Sequence, residues 1–165
     1  MLESPATDLV HALKYEGWQE LAGFMANAMS RLHGAAGGEG VVVVPVPTTA
    51  SRLATRGYNQ AALLARHVSE TLGVPLRDAL RRRAGGGSQT SLTPSERREN
   101  VRGVFGPAPG AELAVGGRHV LLVDDVLTTG ATAGDAARAL DAARAATVTL
   151  IAFARALPSR PERAA

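Results

Sequence analysis

The sequence predicts an α/β domain in which a parallel sheet is flanked by helices on both faces. Three observations point there. Short runs of apolar and β-branched residues stand at 41–44, 119–123 and 147–154, the length and content of strands held inside a sheet. Between them lie stretches whose apolar residues recur at three- and four-residue spacing, as helices packed on a core require. Glycine and proline, 18 and 9 of the 165 residues, punctuate these stretches, and no repeat or shift in composition marks a second unit. One domain is expected over residues 1–157, with residues 158–165 a frayed, disordered tail.

Taken in order, residues 7–15 predict a short helix that Gly17 separates from a longer one. In the longer helix Leu21, Phe24, Met25, Ala28, Met29 and Leu32 form the inward stripe, and Trp18 is expected to pack against it. Gly34, Gly37, Gly38 and Gly40 make a flexible connection to the strand Val41-Val42-Val43-Val44. Pro45 and Pro47 end its ladder, because proline donates no backbone hydrogen bond. A loop carrying Arg52, Arg56 and Gly57 follows, then a helix from Tyr58 with Leu63, Leu64, Val68 and Leu72 inward and Gly73 at its stop. Gly85-Gly86-Gly87-Ser88 loses much freedom on ordering, so a mobile loop is expected there. Thr93-Pro94-Ser95-Glu96 combines a capping residue, proline in the first helical position and a reciprocal glutamate, and predicts a short helix toward Arg102. A second loop is expected over residues 106–117, then the strand at 119–123, a helix over 133–143 and the last strand at 147–154.

Composition narrows the function. The chain has no cysteine, which rules out disulfides and cysteine-based zinc sites and fits a reducing compartment. No run approaches the ~20 apolar residues of a membrane span, and Met1-Leu2-Glu3-Ser4-Pro5 lacks the basic flank of a signal peptide. A cytoplasmic protein is the expectation. A net charge of +3 is too small to argue for nucleic-acid binding, and aromatics at 4% offer few stacking platforms. His11, His33, His67 and His119 show no metal-ligand spacing. Arg81, Arg82, Arg83, Arg97, Arg98 and Arg102 crowd one region, as either a solvated face or a binding face.

The chemistry is concentrated in Val120-Leu121-Leu122-Val123-Asp124-Asp125-Val126-Leu127-Thr128-Thr129-Gly130-Ala131-Thr132. A buried strand delivers two carboxylates at its carboxyl end, where open α/β sheets bind ligands. A turn of small hydroxylated residues then opens a helix, whose unpaired N–H groups and dipole favour a phosphate. Thr128, Thr129 and Thr132 add hydroxyl donors, and Gly130 allows close backbone approach. Acceptor-only carboxylates suit a vicinal diol, so a sugar phosphate satisfies both halves. Adjacent aspartates also occur as helix caps or in the magnesium pocket of receiver domains, but receiver pockets lack a following Thr-Thr-Gly-x-Thr turn.

This segment resembles the phosphoribosyl pyrophosphate (PRPP) signature of type I phosphoribosyltransferases. Leu13-Lys14-Tyr15, Val44-Pro45-Val46-Pro47, Arg56-Gly57-Tyr58-Asn59-Gln60, Gln89, Leu92 and Arg98 through Phe105 resemble the ComF family, competence-associated proteins with such a domain. The resemblance implies a Rossmann-like type I phosphoribosyltransferase fold with a flexible hood loop. It implies that Asp124 and Asp125 contact the ribose hydroxyls as catalytic residues. It also implies that Thr128, Thr129, Gly130, Ala131 and Thr132 hold the 5′-phosphate, and that Val46, Pro47 and Thr48 meet pyrophosphate with Arg52 and Arg56 beside them. The hood would run over residues 81–96, with Arg81, Arg82, Arg83 and Gln89. Mg2+ would be carried through ligand oxygens and water with no direct protein ligand expected, Asp124 and Asp125 being the candidates for any contact. The activity implied is transfer of the phosphoribosyl group to an unidentified nitrogen acceptor with release of pyrophosphate. The alternative is a non-catalytic PRPP or nucleotide sensor acting in DNA uptake. Expected partners are PRPP, the acceptor, single-stranded DNA or another competence protein, and a second copy of the chain in a homodimer. Two departures stand out: the cysteine-rich zinc module common in the family is absent, and Gly85-Gly86-Gly87 replaces stiffer hood residues. Arg144 also stands where a helix-ending glycine is common.

Overall fold

The computed structural model describes residues 5–33, 38–83 and 103–156. The strands are β1 (Val41–Pro45), β2 (Leu80–Arg82), β3 (Phe105–Pro107), β4 (His119–Leu127) and β5 (Thr147–Arg155). The helices are α1 (Ala6–His11), which continues into a π turn (Ala12–Glu16), α2 (Leu21–His33), α3 (Ala50–Arg56), α4 (Gln60–Leu72), α5 (Ala111–Val115) and α6 (Ala131–Ala142). The predicted mobile loop at 85–88, the helix toward Arg102, Gln89, Arg97, Arg98 and the tail lie outside the described residues.

β1, β4 and β5 form a parallel sheet with β4 in the middle, in a register that pairs Val43 with Leu121 and Leu121 with Thr149. On the far side of β1, the Val43 N–H donates to Pro75 and its carbonyl accepts from Arg77, at 2.8 and 2.9 Å, so residues 75–77 extend the sheet as a fourth rail. The pleat sends alternate side chains to opposite faces. Val41, Val43, Leu121 and Val123 enter a core shared with α2 and α4, while Val42, Val44, Val120 and Leu122 enter one shared with α5, α6 and the β2–β3 ribbon. Both faces are therefore covered, which is why these runs are continuous in apolar residues and do not alternate.

Four expectations need correction. In α2 Met25 and Met29 are buried as expected, but they are joined by Ala22 and Ala26, whereas Phe24 and Ala28 are exposed; the spacing admits more than one stripe, and the one with the small alanines faces the core. Trp18 is 57% exposed and does not pack against the helix. The segment carrying Arg52 and Arg56 is a helix, α3, capped by the Thr49 hydroxyl, which accepts from the Arg52 N–H at 3.1 Å; it buries none of its residues, so it leaves no apolar period to read. Arg81 and Arg82 belong to β2, paired antiparallel with β3, and the expected loop at 106–117 contains the end of β3 and all of α5. Strands of three residues are too short for periodicity, and their pairing spans more than twenty residues of chain.

Candidate functional site

β4 runs out of the core at Asp124. Residues 120–123 have no exposed surface, whereas Asp124 and the three residues after it are partly open and Thr128 is exposed. The sheet thus sets two carboxylates on the floor of a cleft of about 540 Å³ at its carboxyl edge. Val46, Pro47 and Thr48 line it from the end of β1, Arg52 and Arg56 from α3, Gln60 from the start of α4, Arg82 from β2, and Thr128 and Thr132 from the turn into α6. Thr129, Gly130 and Ala131 form the turn between those threonines. Gly130 sits at φ +77°, the left-handed region that glycine tolerates, and the Thr129 hydroxyl accepts from the Ala131 N–H at 3.4 Å. Of the predicted hood arginines, Arg82 alone among Arg81, Arg82 and Arg83 lines the cleft; Arg81 donates to the Pro107 carbonyl, and Arg83 lies against Gly106.

Charge in the cleft is mixed. Burial first, and the neighbouring Asp125 second, push the Asp124 carboxyl up to about 6, against the pull of the Asp125 N–H, Lys14 and Arg52. Its Oδ1 accepts from the Asp125 N–H at 2.9 Å. Asp125 Oδ2 lies 2.8 Å from the Lys14 ammonium, in a half-buried ion pair. Arg82 is held below its ordinary value by burial, then by Arg52, with Asp135 opposing.

Sequence reasoning assigned Lys14 no role. It arrives from the π turn, a form of helix that recurs at functional sites. The Tyr58 hydroxyl donates to the Leu13 carbonyl beside it, and the Arg56 guanidinium lies 4.8 Å over the Tyr15 ring. Two signals were present: Lys14 lies in the Leu13-Lys14-Tyr15 segment that resembles the family, and it is the only lysine beside seventeen arginines. Asp135 was also missed. It is 3% exposed on α6, and it accepts from the Gly103 and Phe105 N–H groups at 2.7 and 2.8 Å, fixing the strand beside Arg82 to the helix that follows the threonine turn.

A family model described as the phosphoribosyl transferase domain matches residues 12–164. Competence protein F of Haemophilus influenzae is 36% identical over 99 residues, which is 59% of this chain and 43% of that protein. DNA utilization protein YhgH of Escherichia coli is 32% identical over 160 residues, covering 93% of this chain and 68% of that protein. The chain belongs to the ComF-type phosphoribosyltransferase domain family. It spans less than half the length of competence protein F. Solved structures agree on the fold. An allosteric regulatory enzyme of purine biosynthesis superposes with a TM-score of 0.52 at 22% identity, over 81% of this chain and 26% of that one. TT1426 from Thermus thermophilus superposes with a TM-score of 0.50 at 17% identity, over 87% and 85%. The predicted type I phosphoribosyltransferase fold is thereby shown.

Asp124 and Asp125 could hold Mg2+ only together with oxygens that a ligand brings, because no cluster of three His, Cys, Asp or Glu among the described residues offers an all-protein metal site. With Asp125 already paired to Lys14, the arrangement suits a cation that arrives with a phosphate ligand. No helix among the described residues is long and apolar enough to cross a membrane.

Proposed function

We propose that this ComF-type domain binds PRPP with Mg2+ and transfers its phosphoribosyl group to a nitrogen acceptor. The observation that supports this most directly is the continuity of β4, Asp124, Asp125 and the threonine turn within one cleft rimmed by four cations, Lys14, Arg52, Arg56 and Arg82. The turn receives the 5′-phosphate, the carboxylates accept from the ribose 2′- and 3′-hydroxyls, and the end of β1 with Arg52 receives the pyrophosphate. In the transfer the C1–O bond to pyrophosphate breaks, and its electron pair leaves on that oxygen. A bond from the acceptor nitrogen to C1 forms, and the nitrogen's proton passes to solvent. Two carboxylates beneath the ring stabilise the oxocarbenium character of C1, and the arginines stabilise charge on the leaving group. Mg2+, when bound, would neutralise part of the pyrophosphate charge.

A second reading is favoured by the names of the relatives, which concern competence and DNA utilization. It is also favoured by Tyr15, Trp18 and Phe24, half of the chain's aromatics and all more than half exposed. In that reading the cleft senses PRPP or a nucleotide, and the protein works in DNA uptake beside single-stranded DNA or a competence partner. Calorimetric titration with PRPP and Mg2+ tests the binding common to both: saturable binding by the wild type, lost in Asp124→Asn/Asp125→Asn, is expected, and silence at millimolar ligand refutes it. Pyrophosphate release across a panel of amines and nucleobases separates the two readings.

A further inference from the structure

The Arg56-Gly57-Tyr58-Asn59-Gln60 segment spends all but one of its polar groups on structure. Gly57 ends α3 at φ +80°. Tyr58 clamps the Leu13 carbonyl, and Asn59 caps α4 by accepting from the Ala61 N–H while donating to the Val46 carbonyl at 3.1 Å. Arg56 covers Tyr15 and donates to the Gln60 Oε1 at 3.0 Å.

Gln60 is the exception. Its side chain is 3% exposed at the first position of α4, yet it lines the cleft. A guanidinium has donors only, so the Gln60 amide must turn its oxygen toward Arg56 and its nitrogen away. That nitrogen, Nε2, has no hydrogen-bond partner among the described residues. The Tyr58 hydroxyl interacts with the Gln60 side chain, which after Arg56 counters part of the upward push of burial on its pKa. This contact does not meet the geometry of a hydrogen bond, and the hydroxyl proton goes to the Leu13 carbonyl. A buried donor left in this state points to a ligand oxygen, with solvent in the cleft as its occupant otherwise. The Asn59–Val46 bond fixes Gln60 beside the end of β1, whereas the threonine turn follows the end of β4. The start of the thirteen-residue α4 adds the positive end of its dipole there.

We propose that Gln60 is a specificity-determining residue of the cleft, whose Nε2 donates to an oxygen of the pyrophosphate group and not to the ribose 5-phosphate end. The inference rests on the PRPP reading above. The test measures inorganic pyrophosphate, ribose 5-phosphate and PRPP, each with Mg2+, by calorimetry on the wild type, Gln60→Met and Gln60→Glu. Gln60→Met is expected to weaken pyrophosphate and PRPP roughly tenfold, the equivalent of about 1.4 kcal/mol, and to leave ribose 5-phosphate within about twofold. Gln60→Glu keeps an acceptor for Arg56 and suits a helix start, so it preserves the fold; it is expected to weaken pyrophosphate more than Gln60→Met does, by placing an anion against an anion. Unchanged pyrophosphate affinity in Gln60→Met, or equal losses for both ends of the ligand, overturns the assignment. Failure of the wild type to bind PRPP at all overturns the underlying reading instead, so the two failures are distinct.

Discussion

Between the ordinary carboxylate range and about pH 6, Asp124 keeps a proton in the folded chain that it would release in the unfolded one. The folded state therefore binds more protons, and stability falls as pH rises through this window. The contribution lost by pH 7 is about 3 kcal/mol at most, from a shift of roughly two units. Asp124→Asn removes the charge while keeping an oxygen for the Asp125 N–H. It is expected to stabilise the protein at pH 7.5 by about 1–3 kcal/mol in urea melts, with the gain shrinking toward pH 4, and to weaken PRPP at least tenfold. A variant no more stable than wild type at pH 7.5 refutes the burial argument. Asp135 works in the opposite sense. Burial alone would raise it, but the Phe105 and Gly103 N–H groups and Arg138 hold it below its ordinary value, so its contribution is lost as pH falls below 4. Adjacent aspartates could be seen in the sequence; their unequal environments could not, because the partners Lys14 and Arg52 come from distant segments.

At the scale of elements, Asp135 is where α6 holds the β2–β3 ribbon. Asp135→Ala leaves two N–H groups without their charged acceptor and is expected to cost about 3 kcal/mol. Because β2 carries Arg82, the same variant is expected to weaken pyrophosphate, measured by calorimetry under conditions where the fold persists; undiminished binding there separates the ribbon from the site. The long elements were legible because periodicity and punctuation agree: the three sheet strands, α4 with its Gly73 stop, and the helix after the threonine turn stand where expected. α3, β2, β3 and α5 escaped, being short segments whose stability comes from tertiary pairing and not from a pattern of their own. Arg144 shows the limit of local rules. It adopts φ +62° at the end of α6, the left-handed position a glycine would take more cheaply, while its carbonyl accepts from the Gly117 N–H.

For the whole molecule, four cations line one cleft with two carboxylates, and their mutual repulsion, felt by Arg82 from Arg52, is of the kind that an anion relieves. Ligand at a hundredfold excess over Kd stabilises a folded protein by about 2.7 kcal/mol, and for a domain of this size the melting temperature rises by roughly 5–10 °C. PRPP with Mg2+ is expected to produce that shift, and 0.5 M NaCl to reduce it; a melting temperature indifferent to PRPP speaks against an anion site. The strand, the carboxylates and the turn follow one another in the chain, so they were readable together. Lys14, Gln60 and Arg82 meet them only through the fold, and Lys14 was marked only by its uniqueness as a lysine and by its place in a segment that resembles the family.

The arm that delivers Lys14 ends at Gly17, and the next residue is the single tryptophan of the chain, open to solvent. Its emission is therefore a built-in optical reporter placed four residues from the carboxylate contact. A ligand that moves Lys14 off Asp125 is expected to change this fluorescence, without any label attached to the protein.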